Sequence, residues 1–211
     1  MATPRPTRRT LFALPLIVAA GPALAAPTKV VTVLGDSITA GYGLPAAAAL
    51  PAQLQLALRK LGVMALVRAA GVSGDTTAGG LSRVDFSVRK DTDLTIVALG
   101  ANDLLQGQDP RRTRANLDGI IKKLKARRIG VLLAGVAAPT EIGGGYARDF
   151  NAVFPALSRA HGVPLYPNLL AGVARTPALN QPDGIHPNAR GAAIIAARLA
   201  PVVAKALAAR A

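Results

Sequence analysis

The sequence holds a serine, a histidine and an aspartate in positions where they could carry out acyl transfer. Asp183 stands three residues before His186. The chain has two histidines and no cysteine, so a base that works near neutral pH must be His186 or His161. Ser37 follows the apolar run of residues 30–34, where a buried strand is expected to end. Ligand sites in open α/β sheets lie at such strand ends, so the pattern predicts nucleophilic attack by Ser37.

The three side chains would share the chemistry between them. A serine hydroxyl is a weak nucleophile, and it needs a base within hydrogen-bond reach and a rigid mount. We expect His186 to take the proton of Ser37 and Asp183 to hold the imidazole in the required tautomer. Structural alternatives exist, because Ser37 could simply cap the following helix and the Asp183-Gly184 pair could form an ordinary turn.

Apolar runs alternate with helical segments along the rest of the chain. Five runs predict strands near residues 30–34, 65–67, 94–99, 131–134 and 163–166. Helical spacing marks residues 52–61, 76–84, 110–128, 147–161 and 188–208. Strands joined by helices predict right-handed crossovers and a parallel sheet that is covered on both faces. We therefore expect a three-layer α/β/α sandwich with a five-stranded parallel sheet of flavodoxin-like order.

Four polar segments follow strand candidates, and a parallel sheet brings such segments to one edge. They are Gly35-Asp36-Ser37, Gly71-Val72-Ser73-Gly74-Asp75, Gly100-Ala101-Asn102-Asp103 and Asp183-Gly184-Ile185-His186. With these segments the chain resembles the SGNH, or GDSL, hydrolase family from Val30 to the final helix. The resemblance is greatest to its bacterial periplasmic branch of multifunctional acyl-CoA thioesterases, lysophospholipases and arylesterases.

The resemblance also implies an oxyanion hole. In the family it is formed by the backbone N–H of the nucleophile, a glycine N–H and an asparagine amide, which match Ser37, Gly74 and Asn102. One departure concerns the support of the glycine loop, because residues 69–71 read Ala-Ala-Gly where close relatives carry an Asn-Ala pair before this turn.

Other polar residues near these segments have structural interpretations. We expect Asp36 to accept hydrogen bonds from nearby backbone N–H groups and Asp75 to cap the helix that begins near Thr76. His161 precedes Gly162 at the end of a helix, where a basic side chain suits the helix dipole. The glycine run at 143–145 is expected to be a loop, either a plain turn or a mobile wall beside the substrate.

Large side chains near the polar segments are candidates for the walls of a substrate groove. They are Leu104, Leu105, Tyr146 and Ile185. Each of them could equally belong to the core, because only its orientation in the fold decides between the two.

Residues 1–26 are interpreted as a cleaved signal peptide, and residues 27–211 as a single hydrolase domain. The leader has arginines at 5, 8 and 9, a ten-residue apolar run at 11–20 and small residues before position 27. This apolar run is too short to span a bilayer as a helix. Residues 7–12 also resemble a twin-arginine export signal. Export to a bacterial periplasm or beyond is expected by either route.

The net positive charge of the chain indicates which kinds of partner it could bind. Removal of residues 1–26 takes away three of the 25 basic residues and none of the 11 acidic ones, which leaves a formal charge of +11. Eight basic residues lie between positions 111 and 128 against one acid, Asp118. They form either a solvated helix face or a peripheral contact with an anionic membrane surface. Nucleic acid is not expected, because the chain is exported and few aromatics are present for base stacking.

Composition also limits the cofactor. Without cysteine, two histidines cannot supply three imidazole ligands, so no metal and no other cofactor is expected. We predict a monomeric serine esterase acting on small-molecule or lipid acyl esters. The alternatives are a carbohydrate O-acetyl esterase and a basic periplasmic binding protein without catalytic activity.

Overall fold

The computed structural model describes Met1 and residues 28–210, and the predicted signal peptide lies outside the described residues except for Met1. Five strands form one parallel sheet in the order β2-β1-β3-β4-β5. The strands are β1 (Lys29–Gly35), β2 (Ala65–Gly71), β3 (Leu94–Ala98), β4 (Gly130–Ala134) and β5 (Leu165–Tyr166). This is the flavodoxin-like order, so the predicted fold class is confirmed.

In the described part of the chain, seven α-helices cover the sheet. They are α1 (Ser37–Ala40), α2 (Leu50–Lys60), α3 (Thr77–Ser87), α4 (Ala101–Leu105), α5 (Pro110–Ala126), α6 (Gly144–His161) and α7 (Ala189–Ala208). Short 3-10 turns lie at Ala46–Ala48, Thr140–Ile142 and Pro177–Leu179. Helices α2 and α7 pack on one face of the sheet, and α3, α5 and α6 pack on the other. The predicted helices are all present, and α3 is longer than its sequence pattern indicated.

The alternation of side chains along β1 divides the core into two parts. Val31 and Val33 pack toward α2 and α7, whereas Leu34 packs toward α3, α5 and α6. Both sides are apolar because helices cover both faces of a parallel sheet. Helix α7 is long and apolar enough to cross a bilayer by composition, with a mean hydropathy of 1.6, but half of that segment is buried in this core. We therefore interpret it as a core helix.

The order of the central strands brings three of the polar segments together. Gly35 at the end of β1 is in register with Gly71 on β2 and with Ala98 on β3. The segments after these strands therefore emerge side by side at the carboxyl edge of the sheet. A Cβ on Gly35 would collide with the side chain of Thr39 and with the carbonyl oxygen of Ala98. Only glycine at this position lets the chain turn into α1 so closely.

Two local predictions are corrected by the structure. Helix α3 is capped by Thr76, whose side chain accepts a hydrogen bond from the Gly79 N–H, and not by Asp75. The carboxylate of Asp75 is instead paired with Arg83. The glycine run at 143–145 is not a free loop, because its last two residues form the first turn of α6.

Candidate active site

Ser37 is held at the first position of α1, directly after β1. Asp36 is the N-cap of this helix, and its Oδ1 accepts a hydrogen bond from the Ile38 N–H at 3.0 Å. The predicted hydrogen bonding of Asp36 to a nearby backbone N–H group is thus confirmed. Because the chain passes from a buried strand into a capped helix within two residues, the Ser37 side chain has a rigid base.

The structure brings the three chemically active side chains into one chain of hydrogen bonds. The Oγ of Ser37 lies 2.9 Å from Nε2 of His186, and Nδ1 of His186 lies 2.7 Å from Oδ2 of Asp183. Backbone N–H groups of Ile185 and His186 donate to Oδ1 of Asp183 at 2.9 and 3.0 Å. These bonds, with the one from the imidazole, lower the pKa of Asp183 to about 2.

The low pKa of Asp183 determines the tautomer of the histidine. A carboxylate that is ionised at neutral pH can only accept hydrogen bonds, so Nδ1 of His186 must carry the proton that it shares with Asp183. In the neutral ring the other nitrogen, Nε2, is then the acceptor. The Ser37 hydroxyl donates to it, which is the orientation in which His186 can remove the serine proton.

The segment that carries His186 is a surface loop held by side-chain amides. The Gln181 side chain donates to the carbonyl of Tyr42 at 2.7 Å and to that of Pro187 at 3.0 Å, and its backbone N–H donates to the His186 carbonyl at 2.7 Å. Asn188 caps α7 through the Gly191 N–H. These bonds join the histidine loop to the chain that follows Ser37.

Asn102 and the Gly74 loop lie on the opposite side of the serine. One N–H of the Asn102 side chain donates to the backbone carbonyl of Asp75 at 2.8 Å, which leaves the second N–H of this amide for a ligand. Gly74 has a φ of +81°, a conformation that favours glycine. Among the described residues, none accepts a hydrogen bond from the Gly74 N–H.

A partly buried arginine that the sequence analysis missed holds this side together. Arg83 donates to the Gly35 carbonyl at 2.8 Å, to the Ala70 carbonyl at 2.9 Å and to the Asp75 carboxylate at 2.7 Å. It therefore ties the ends of β1 and β2 to the loop that carries Gly74. The available signal was that Arg83 is the only basic residue in the α3 sequence.

Tyr42 is a second residue that the sequence analysis missed. Its ring centroid lies 4.6 Å from that of His186, with 37° between the planes. The flanking residues Gly41 and Gly43 have φ values of +76° and +71° and let the chain fold back toward the histidine. A tyrosine between two glycines shortly after Ser37 was the sequence signal for this ring contact with His186.

A cavity of about 200 Å³ opens beside Ser37. Its lining is mainly apolar and includes three of the predicted groove residues, Leu104, Leu105 and Ile185, together with Asn102 and His186. Tyr146 is not part of this lining. Its hydroxyl donates to the Gln108 carbonyl at 2.9 Å and its ring stacks on Phe150, so the prediction of Tyr146 as a groove wall is corrected.

Two further titratable side chains, Asp36 and His161, differ in their position relative to the cavity. Asp36 lines the same cavity and is only 3% exposed, and burial raises its pKa to about 6. His161 lies away from the cavity, where its Nε2 is 2.7 Å from Oδ1 of Asp118, as expected for a structural residue. Within residues 28–210, no group of three or more His, Asp or Glu side chains is arranged to hold a metal.

Comparison with known proteins places these residues in a family context. The model of the GDSL-like lipase/acylhydrolase family matches residues 33–194. The chain is 36% identical over 165 residues to thioesterase 1/protease 1/lysophospholipase L1 of Escherichia coli (strain K12), covering 78% of each protein. It is also 36% identical to esterase TesA of Pseudomonas aeruginosa, over 77% of this chain and 81% of that protein.

Solved structures agree with these relatives. The crystal structure of AlinE4, an SGNH-hydrolase family esterase, is 43% identical to this chain. The alignment covers 86% of this chain and 98% of the AlinE4 chain, with a TM-score of 0.72.

Proposed function

Because the chain belongs to the GDSL-like lipase/acylhydrolase family and is a carboxylic ester hydrolase, we propose that Ser37, His186 and Asp183 form its catalytic triad. The observation that supports this assignment is the unbroken relay from Ser37 Oγ to His186 Nε2 at 2.9 Å and from His186 Nδ1 to Asp183 Oδ2 at 2.7 Å. A binding protein without catalytic activity would have no need of this arrangement.

In the first half of the reaction, Ser37 Oγ attacks the carbonyl carbon of the ester while His186 Nε2 takes its proton. The resulting imidazolium is stabilised by the carboxylate of Asp183. Negative charge develops on the carbonyl oxygen, and it is met by the N–H groups of Ser37 and Gly74 and by the free N–H of Asn102. The tetrahedral intermediate collapses, His186 gives its proton to the alcohol, and the acyl group stays on Ser37.

In the second half, water replaces the alcohol. His186 removes a proton from the water, and the hydroxide attacks the acyl carbon in the same oxyanion hole. Collapse of this intermediate breaks the bond to Ser37 Oγ, which recovers its proton from His186. The carboxylic acid leaves, and every residue is back in its starting state.

The lining and the volume of the cavity indicate which acyl groups it can hold. Its apolar lining favours aliphatic acyl groups over acetyl groups on carbohydrates, which call for a polar pocket. A volume of about 200 Å³ is smaller than the roughly 300–1,000 Å³ of typical drug-sized sites. Short acyl groups therefore fit inside, and longer chains would extend over the exposed side chains of Leu105 and Ile185. The finer proposal is an esterase for aliphatic acyl, aryl or lysophospholipid esters, with thioesters as further substrates.

The setting of this activity is proposed from the sequence. The leader at residues 1–26 and the +11 formal charge of the remaining chain favour a periplasmic or secreted monomer that works beside anionic membrane surfaces. Lysophospholipids and other lipid esters are the natural acyl esters at such a surface.

Hydrolysis of p-nitrophenyl esters from acetyl to palmitoyl tests the proposal. We expect turnover by the purified protein, its loss by a factor of at least about 10⁴ in Ser37→Ala and His186→Ala, and no effect of a chelator. Ser82→Ala, which changes an exposed serine on α3, is the matched control and should keep full activity. Near-native turnover by Ser37→Ala would refute the nucleophile, and a preference confined to acetyl esters would favour the carbohydrate esterase.

A further inference from the structure

The edge strand β2 carries an apolar surface that the proposed catalytic mechanism does not use. We call Leu56, Met64, Leu66 and Phe86 the β2-edge patch. All four side chains are exposed, and Phe86, near the end of α3, is 92% exposed. β2 has β1 on one side only, so its other edge faces solvent.

Two open grooves run along β2, one on each face of the sheet, and they meet at Ala69. The groove beside α2 has a volume of about 550 Å³ and includes Leu56. The groove beside α3 has a volume of about 720 Å³ and includes Leu66 and Phe86. Both are larger than the cavity of about 200 Å³ beside Ser37. Three of the four patch residues therefore line grooves that share Ala69, and Met64 lies directly before β2.

The charged residues around the β2-edge patch are mostly basic. Arg59 lines the first groove and Arg89 the second, and both are exposed. Arg68 also lines the second groove, and it is neutralised by Asp91 at 2.6 and 2.8 Å. Within the described part of the chain, neither Arg59 nor Arg89 forms an ion pair with a carboxylate. The patch thus combines apolar side chains with free positive charge.

Helix α5, the basic segment singled out in the sequence, differs in both respects. Many of its cations are already engaged: Lys122 with Asp118, and Lys123 with Asp85. None of the exposed large apolar side chains among the described residues lies on α5. Its charge is spread over a polar helix, so α5 offers no apolar surface to a lipid phase.

We propose that the β2-edge patch docks the protein onto an anionic phospholipid surface, with Phe86 and Leu66 entering the interfacial region and Arg59 and Arg89 facing lipid phosphates. Apolar side chains beside basic ones are the pattern of interfacial binding. A second copy of the chain is a poorer occupant, because a symmetric contact would bring the arginines of two patches together. A nucleic acid would leave the apolar side chains without a partner.

Docking at this edge would bring the proposed esterase to its lipid substrates, and the inference rests on the proposed function. The groove beside α3 extends from Leu66 to Gly71 and Val72. The Val72 N–H donates to the Gly35 carbonyl at 3.1 Å, two residues before Ser37. This groove therefore leads from the lipid-facing patch to the edge of the sheet where the nucleophile lies.

Vesicle cosedimentation tests the surface directly. The purified protein is mixed with vesicles of equal phosphatidylglycerol and phosphatidylcholine, and with vesicles of phosphatidylcholine alone. We expect binding to the anionic vesicles that weakens as salt is raised. Phe86→Ser with Leu66→Thr should lower partition by about tenfold or more. Arg59→Glu with Arg89→Glu should lower it by at least about 25-fold, at about fivefold for each arginine lost.

Matched variants and a soluble substrate separate the possible failures. Arg112→Glu with Arg114→Glu on α5 carries the same charge change and should bind vesicles almost as well as the parent protein. All variants should hydrolyse soluble p-nitrophenyl acetate like the parent, so a loss of this activity would point to the fold or the site instead. The docking proposal is overturned if the patch variants bind vesicles normally, if the α5 variant loses binding equally, or if light scattering shows a dimer that Phe86→Ser dissociates.

Discussion

The two sides of Ser37 are built in different ways. On the oxyanion side, Asn102 and the Gly74 loop are tied to strand ends through Arg83 and Asp75, whose side chains are only 18% and 10% exposed. On the histidine side, His186 sits on a surface loop whose Asp183 side chain is 37% exposed. Donors that stabilise a developing charge must be fixed before the reaction, whereas a proton carrier needs access to water. The division follows these two requirements.

The two aspartates of the site show the same contrast. Asp36 is buried, and the loss of solvation raises its pKa to about 6 in spite of its hydrogen bond from Ile38. Asp183 is exposed and accepts three hydrogen bonds, which lower its pKa to about 2. Only Asp183 is therefore fully ionised throughout the range in which His186 must gain and lose protons. The environments, and not the residue types, separate their roles.

Among substitutions that leave Ser37, His186 and Asp183 in place, the largest effect is expected on the oxyanion side. Asn102→Ala removes a fixed donor, and kcat should fall by about 10²- to 10³-fold with little change in KM. Steady-state hydrolysis of p-nitrophenyl butyrate measures both constants.

Asn102→Asp is the matched variant, since it keeps the size of the side chain but places a carboxylate where charge develops. Its activity should be no higher than that of the alanine variant. A loss below tenfold in Asn102→Ala would mean that the side chain only supports the Asp75 carbonyl, and the contrast between the two sides would fail.

On the histidine side, Asp183→Asn should lower kcat by at least about 10²-fold, because the amide NH2 that replaces Oδ2 can only donate to Nδ1 of His186 and favours the wrong tautomer. The asparagine oxygen can still accept the N–H groups of Ile185 and His186, so the loop should keep its shape. The imidazolium, however, loses its counter-charge. Circular dichroism checks the fold, and stopped-flow or steady-state kinetics measures the rate.

The pH profile of the same variant sharpens the comparison. Since the pKa of Asp183 is about 2, this carboxylate stays ionised where His186, as the base, takes up a proton in acid. Asp36→Asn identifies any part of the acidic fall that comes from the carboxyl group with a pKa of about 6. Without the carboxylate of Asp183, protonation of His186 becomes less favourable, so the fall in acid should move to lower pH. An unchanged profile would indicate that Asp183 does not interact with the histidine during turnover.

A smaller effect is expected from Arg83→Lys, which keeps the charge but loses the planar fork. The lysine cannot bond the carbonyls of Gly35 and Ala70 and the Asp75 carboxylate together. We expect about a tenfold loss in kcat, less than the ~10²-fold cost of a full 1 Å misplacement. Affinity for a trifluoromethyl ketone, which forms an oxyanion on the enzyme, should fall by the same factor.

Arg89→Lys is the control for Arg83→Lys on a soluble substrate, because Arg89 is exposed. A purely structural role for Arg83 would lower the melting temperature without changing ketone affinity relative to KM. That outcome would remove Arg83 from the oxyanion side as a positioning residue.

What the sequence predicted and what it missed have one physical explanation. His186 was found because the chain has only two histidines, Asp183 because it stands three residues before His186, and Ser37 because it follows an apolar run that predicts a buried strand. Strand order followed from the alternation of apolar runs and helices. Arg83 was missed because two of its four partners are backbone carbonyls, which are the same at every position of the sequence, and a third is the Asp75 carboxylate, which lies outside α3. Only the meeting of β1, β2 and α3 in space gives it a role.

Two wrong predictions have the same cause. A polar residue before a helix predicts a cap. In the structure Thr76 is the cap, and the Asp75 carboxylate forms an ion pair with Arg83. Tyr146 has the character of a groove wall, yet its place on α6 turns its hydroxyl to the Gln108 carbonyl. Spacing along one helix does not reveal which neighbour a side chain meets.

The smallest effect on turnover is expected from Asp36→Asn. Asparagine caps helices as well as aspartate does, so Ser37 should keep its mount and kcat should stay within a few-fold. The difference lies in stability. The pKa of Asp36 is higher in the folded protein, at about 6, than the ordinary 3.8. Its contribution to stability is therefore fully present below pH 3.8 and is lost as pH rises through 6.

Urea unfolding at pH 4 and pH 7 measures this contribution. Relative to Asp36→Asn, the parent protein should gain up to about 3 kcal/mol of unfolding free energy at the lower pH, from a shift of roughly two pKa units. Asp183→Asn is the matched control: the folded pKa of Asp183 is lowered to about 2, so its carboxylate stabilises the fold above pH 3.8 and loses this effect only as pH falls toward 2. The parent protein and Asp183→Asn should therefore differ by nearly the same amount at pH 4 and pH 7. If Asp36→Asn and the parent differ by the same amount at both pH values, burial does not hold the proton on Asp36. The two aspartates would then not be distinguished by their environments.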